Sequence, residues 1–97
     1  MRSLLNFLRG SGSRTDQEGF RVLPVGRDEL KYIEDDHELL AQAELQSGKP
    51  ERIIYASTVR KWLPPHDHET ISPEKHTEIL NRLLDYYRRQ KVTCDLA

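Results

Sequence analysis

Ser72 to Gln90, SPEKHTEILNRLLDYYRRQ, is the stretch that decides how the rest of the chain folds. Ile79, Leu80, Leu83, Leu84 and Tyr87 recur at i, i+1, i+4, i+5 and i+8, which draws one apolar stripe along a helix of roughly 27 Å. Ser72 is placed to cap the free backbone N–H groups, and Pro73 suits a first helical position that needs no donor. Glu74 lies near the positive end of the helix dipole and Arg88, Arg89 and Lys91 near the negative end. A single amphipathic helix of this length needs an apolar surface to cover, and the chain before it reads as the strands of that surface.

Just upstream, Trp62-Leu-Pro-Pro-His-Asp-His-Glu-Thr-Ile71 reads as a loop, because each proline removes a donor and holds the residue before it extended. Arg52 to Ala56, β-branched and aromatic, is the best candidate for a central strand, and Gly48-Lys-Pro50 breaks the chain ahead of it. Leu30–Glu34 and Glu38–Leu45 form the two arms of an expected hairpin, with Asp35-Asp36-His37 as its turn. Glu38–Leu45 also has high helix propensity, so a helix competes there; the strand reading is preferred. Phe20, Val22 and Val25, weakened by Pro24 and Gly26, suit an edge strand or a short arm. Downstream of the helix, Val92, Cys94 and Leu96 alternate with Thr93 and Asp95, a period-2 strand that should return to the sheet. The expected class is α+β: a small, mainly antiparallel sheet of about four to five strands, one long C-terminal helix packed on one face, and a final short strand. Residues 19–97 form the expected single domain. Residues 1–18 are expected to be a flexible tail in which Leu4, Leu5, Phe7 and Leu8 are spaced for a short amphipathic helix.

A chain of 97 residues has room for one modest core. Its net charge of -1 argues against a dedicated nucleic-acid binder, which carries a basic excess to replace phosphate counterions. The balance is local: residues 34–51 carry Glu34, Asp35, Asp36, Glu38, Glu44 and Glu51 against Lys49 alone, while Arg82, Arg88, Arg89 and Lys91 make the C-terminal part basic. The lone Cys94 has no partner for an internal disulfide, no stretch approaches the ~20 apolar residues of a membrane span, and the N-terminus lacks the pattern of a signal peptide. A cytoplasmic monomer is expected.

His66-Asp67-His68-Glu69 is the one sequence cluster with metal-binding chemistry, but in an extended segment the histidines face one side and the carboxylates the other. His37 and His76 would have to arrive from elsewhere, so no metal and no other cofactor is expected; the plain reading is a polar loop that fixes the entry to the helix. No catalytic constellation can be picked out either. Cys94 reads as a small buried hydrophobe, Ser57 and Thr58 have no neighbouring base, and His76 suits a histidine hydrogen-bonded beneath the helix. Tyr55 and Trp62 divide between interface anchors and core, with Trp62 expected to pack under the proline loop. Glu34, Asp35, Asp36 and Glu38 around the hairpin turn, with Asp67 and Glu69 as a second acidic ridge, are the candidate partner-binding residues, suited to steering a basic protein.

From Tyr55 through Trp62, Pro64, Pro65, Asp67 and Glu69 to Ile71, followed by a helix and a short final strand, the chain resembles the immunity protein 74 family of bacterial polymorphic toxin systems. Glu44 resembles the acid that closes the family's preceding hairpin, whereas Ala43 stands where a glycine is expected. The resemblance covers about residues 31–96. It implies a cytoplasmic, non-catalytic protein that binds a cognate toxin and neutralises it, and the segregated acidic face suits a basic toxin such as a nuclease. Two other classes remain open: a regulatory or structural module docking through its N-terminal segment, and a weak nucleic-acid binder using Arg82, Arg88, Arg89 and Lys91.

Overall fold

The computed structural model describes residues 19–97, and the tail expected over residues 1–18 lies outside them. Strands β1 (Phe20–Pro24), β2 (Glu29–Glu34), β3 (His37–Leu45), β4 (Arg52–Ile54) and β5 (Cys94–Leu96) form one sheet in the order β1-β2-β3-β4-β5, with helix α1 (Pro73–Arg89) between β4 and β5. The first three pairings are antiparallel, and β4 and β5 run parallel. The α+β expectation is met. The segment Glu38–Leu45, where helix competed, is strand, because its alternation buries Leu39, Ala41 and Ala43 on one face.

Register explains where the core sits. Pairing of Val22 with Tyr32, Tyr32 with Leu39, Leu30 with Ala41 and Ala43 with Ile54 aligns these residues on one face. Against them lies the buried stripe of α1, Ile79, Leu80, Leu83 and Tyr87. Removing that apolar area from water is the main force holding helix to sheet. The helix ends follow the expected chemistry. Ser72 Oγ accepts from Lys75 N at 3.1 Å, Pro73 opens the first turn, and Arg88 and Arg89 occupy the last. Beyond it Lys91 takes φ 62°, a left-handed cap that glycine would fill with less strain.

β4 is shorter than the expected strand Arg52–Ala56. After Ile54 the chain leaves the sheet for a 3-10 turn, Ala56–Thr58, and covers the open edge of β3 by other means. Tyr55 N donates to Gln42 O at 3.1 Å, Gln42 N to Thr58 Oγ1 at 3.0 Å, and Leu63 N to Glu38 O at 2.7 Å. These bonds satisfy donors and acceptors that a missing strand would have taken. They also bring the proline loop beside the β2–β3 turn, which positions the site described next.

Candidate functional site

The β2–β3 connection is a two-residue turn, Asp35-Asp36, with His37 already in β3. Asp35 has φ 56°, a conformation that a short polar side chain tolerates better than most. Because side chains alternate along a strand, the turn divides the expected acidic set. Glu34 and His37, paired in register, share the helix-facing side, while Glu38 projects from the opposite face and pairs with Lys31 at 3.4 Å. Asp35 and Asp36 remain exposed at the tip.

Glu34 is committed within the chain. Tyr32 Oη donates to its Oε1 at 2.6 Å, Lys75 Nζ bonds its Oε2 at 2.8 Å, and Arg82 lies 3.5 Å away while also donating to Tyr32 Oη at 2.6 Å. Desolvation pushes the Glu34 carboxyl up, but Lys75, Tyr32 and Arg82 together hold it below the ordinary glutamate value. Glu78 closes the cluster through Lys75 at 2.6 Å and Arg82 at 3.2 Å, and the Arg82 guanidinium lies 4.2 Å from the centre of the Phe20 ring. This group fastens the hairpin to α1. Arg88 and Arg89 both pair with Asp85, at 3.4 and 2.7 Å, so much of the basic helix end expected from the sequence is matched locally.

On the other side of the turn a second cluster forms. The rings of His37 and His66 stack with centroids 3.7 Å apart and planes within 15°. Asp36 contacts His37 Nδ1 at 2.9 Å and His66 Nε2 at 3.3 Å; Glu69 contacts His37 Nε2 at 2.7 Å and His66 Nδ1 at 2.9 Å. All four ring nitrogens thus face a carboxylate. The hydrogen bond with Glu69 is the main cause of the raised pKa of His37, and the same bond is the main cause of the lowered pKa of Glu69. His37 likewise holds Asp36 below the usual carboxylate range. Trp62, buried as expected under the loop, sets its ring against the edge of His37 at 5.0 Å and stacks on Tyr32 at 6.3 Å.

Between the two clusters lies an open cleft of about 290 Å³, bordered by Glu34, Asp35, His37, Trp62, Glu69 and Lys75. The two acidic ridges separated in the sequence therefore meet: Glu69 joins Asp35 and Asp36, and Asp67 is exposed on the same loop. Two residues of the site were missed. The sequence reading places His37 in the turn and gives Lys75 no role. Nothing in a single sequence announces either, since each acquires its role from a partner distant in the chain. His76 meets its expectation, bonding Ala56 O at 3.1 Å.

A family model described as Immunity protein 74 matches residues 22–96, which extends the likeness beyond the span from residue 31 to include most of β1. The chain belongs to the immunity protein 74 family. No curated protein and no solved structure matches it. In this member of the immunity protein 74 family, four of the residues that carry the likeness, Glu44, Tyr55, Trp62 and Glu69, are bonded to one another or contact the site. Tyr55 Oη donates to Glu44 Oε1 at 2.5 Å, across the outer face of the sheet, and Trp62 and Glu69 both contact His37. Hydrogen bonding to Glu44 raises the pKa of the Tyr55 hydroxyl. Cys94 is half-buried at the start of β5, and burial pushes its thiol up to about 11, which leaves it protonated and unreactive at neutral pH. Among the described residues no helix is long and apolar enough to cross a membrane.

Proposed function

We propose that the chain neutralises a cognate toxin domain by binding it directly, with no chemistry of its own, as a monomer in the cytoplasm. The observation that carries this reading is family membership over residues 22–96. The ridge formed by the β2–β3 turn and the proline loop supplies the docking surface. Asp35, Asp36, Asp67 and Glu69 present the charge, Glu38 adds to it from the outer face, and Glu34 anchors the turn that carries the first two. A surface of this sign suits a basic partner such as a nuclease, whose substrate-binding face is itself cationic. Occupying that face blocks the toxin's active site.

The test is to express the toxin domain encoded beside this chain's own gene and to measure one-to-one binding and rescue of growth. Replacing Asp35 and Asp67 together by lysine is expected to weaken binding about 10- to 100-fold, mostly through loss of the fast, steered association that wild-type protein loses only at high salt. Unchanged affinity in that double variant would overturn the assignment of the ridge, and absence of any toxic neighbour bound by the chain would overturn the immunity reading itself.

A further inference from the structure

The histidine stack is short of positive charge on one side. Glu69, an ionised carboxylate, can only accept hydrogen bonds, so the two nitrogens facing it, His37 Nε2 and His66 Nδ1, must both be N–H. A neutral imidazole carries one N–H. The opposite nitrogens, His37 Nδ1 and His66 Nε2, therefore present lone pairs, and both point at Asp36, another group that can only accept. Three acceptors converge with nothing to share. Protonating His37 alone lets its Nδ1 donate to Asp36 but leaves the lone pair of His66 Nε2 facing the same carboxylate, and protonating both rings would stack two imidazolium charges face to face at 3.7 Å. One cation in the gap answers it with a single charge centre.

We propose that His37 Nδ1, His66 Nε2 and the Asp36 carboxylate bind one divalent transition-metal ion of the zinc class, with Glu69 holding both imidazoles in the ligating tautomer. The three ligand groups already lie within 4.8 Å of one another. Two imidazoles and one carboxylate are the donor set of zinc sites, whereas magnesium and calcium take oxygen ligands. Glu69 supplies what metal-bound histidines ordinarily have, a carboxylate on the far ring nitrogen. Closure needs two small movements. The rings must splay from their parallel stack so that both lone pairs aim at one point, and the Asp36 carboxylate must turn so that an ion between the three groups sits at bonding distances of roughly 2.0–2.1 Å. Asp36 has that freedom, since its side chain is 77% exposed at the turn. The protein provides three ligands, so the fourth position opens outward on the ridge, where water or a side chain of a bound protein completes the shell. This site does not depend on the immunity reading.

The experiment is calorimetric titration of the full chain with zinc chloride at mildly alkaline pH, with magnesium chloride as the comparison. One equivalent of zinc should bind and magnesium should not. His37→Gln and His66→Gln should each abolish binding, and Glu69→Gln should weaken it about 10- to 100-fold. Because a histidine variant can lose its fold, the wild-type protein gives a second readout by nitrogen NMR of the imidazoles. In the metal-free protein both nitrogens facing Glu69 should be protonated, and zinc should shift the resonances of His37 Nδ1 and His66 Nε2. Failure of zinc to bind, binding that survives His37→Gln or His66→Gln in folded protein, or zinc shifts confined to His68 and His76 would each overturn the proposal.

Discussion

Two polar clusters flank the same turn, and they differ in the source of their positive charge. Glu34 is met by Lys75 and Arg82, cations that keep their protons across the whole physiological range, and both of its carboxylate oxygens accept from groups within the chain. Asp36 and Glu69 are met by His37 and His66, and two neutral imidazoles carry one N–H each, too few to fill four contacts. The first arrangement is a fastening: it is complete within the chain and asks nothing of the surroundings. The second is complete only when something from solution joins it. A polar network satisfied from within reads as architecture, and one left short reads as a place for a ligand.

The contrast can be broken from either side. The largest effect should come from Tyr32→Ala, which removes a fully buried ring stacked between Phe20 and Trp62 as well as the hydroxyl that links Glu34 to Arg82; urea denaturation should show a loss of about 3–5 kcal/mol. Tyr32→Phe keeps the ring and removes only the hydroxyl, so a loss of about 1–2 kcal/mol is expected, and a loss equal to that of the alanine variant would show that the network outweighs the core. Acid provides a third test. Glu34 has a lowered pKa in the fold, so its contribution is present above the unfolded value near 4.5 and is lost as pH falls through the lower folded value. The urea midpoint of the wild type should therefore fall more steeply below about pH 4.5 than that of Glu34→Gln. The smallest effect should be that of Asp36→Asn, which should leave the metal-free midpoint unchanged while removing the stabilisation that added zinc gives the wild type. A large destabilisation of the metal-free variant would make the histidine cluster a fastening like its neighbour.

What could be read from the sequence was local. The helix was legible because Ser72, Pro73 and the Ile79–Tyr87 stripe announce their roles within a few residues, and the hairpin because Leu39, Ala41 and Ala43 alternate within one strand. Tyr55 and Ala56 were assigned to a strand they leave, since the β propensity of Tyr55 could not reveal that the edge of β3 is closed by Thr58 and Leu63. The site was legible as a set of acids and not as an arrangement. Glu34 cannot be known to meet Lys75 and Arg82, nor His37 to stack on His66, until the register of the sheet and the path of the proline loop bring together groups far apart in the chain. Alternation in an extended loop would set His66 and Glu69 on opposite sides, but the loop turns and brings His66 Nδ1 and Glu69 Oε2 to 2.9 Å, while the second histidine comes from the hairpin.

The parallel pairing of β4 with β5 sets an order of assembly. From Phe20 to Ile54 every strand pairs with the one just before it, so these contacts close short loops and form without waiting for distant chain. β5 can join only after the proline loop and the whole of α1 have crossed between it and β4. The meander should therefore fold as one early unit and the helix with its final strand as a later one. Under mild denaturant the amides of β5 should exchange with solvent before those at the centre of β2 and β3, so the last strand to dock is the first to let go.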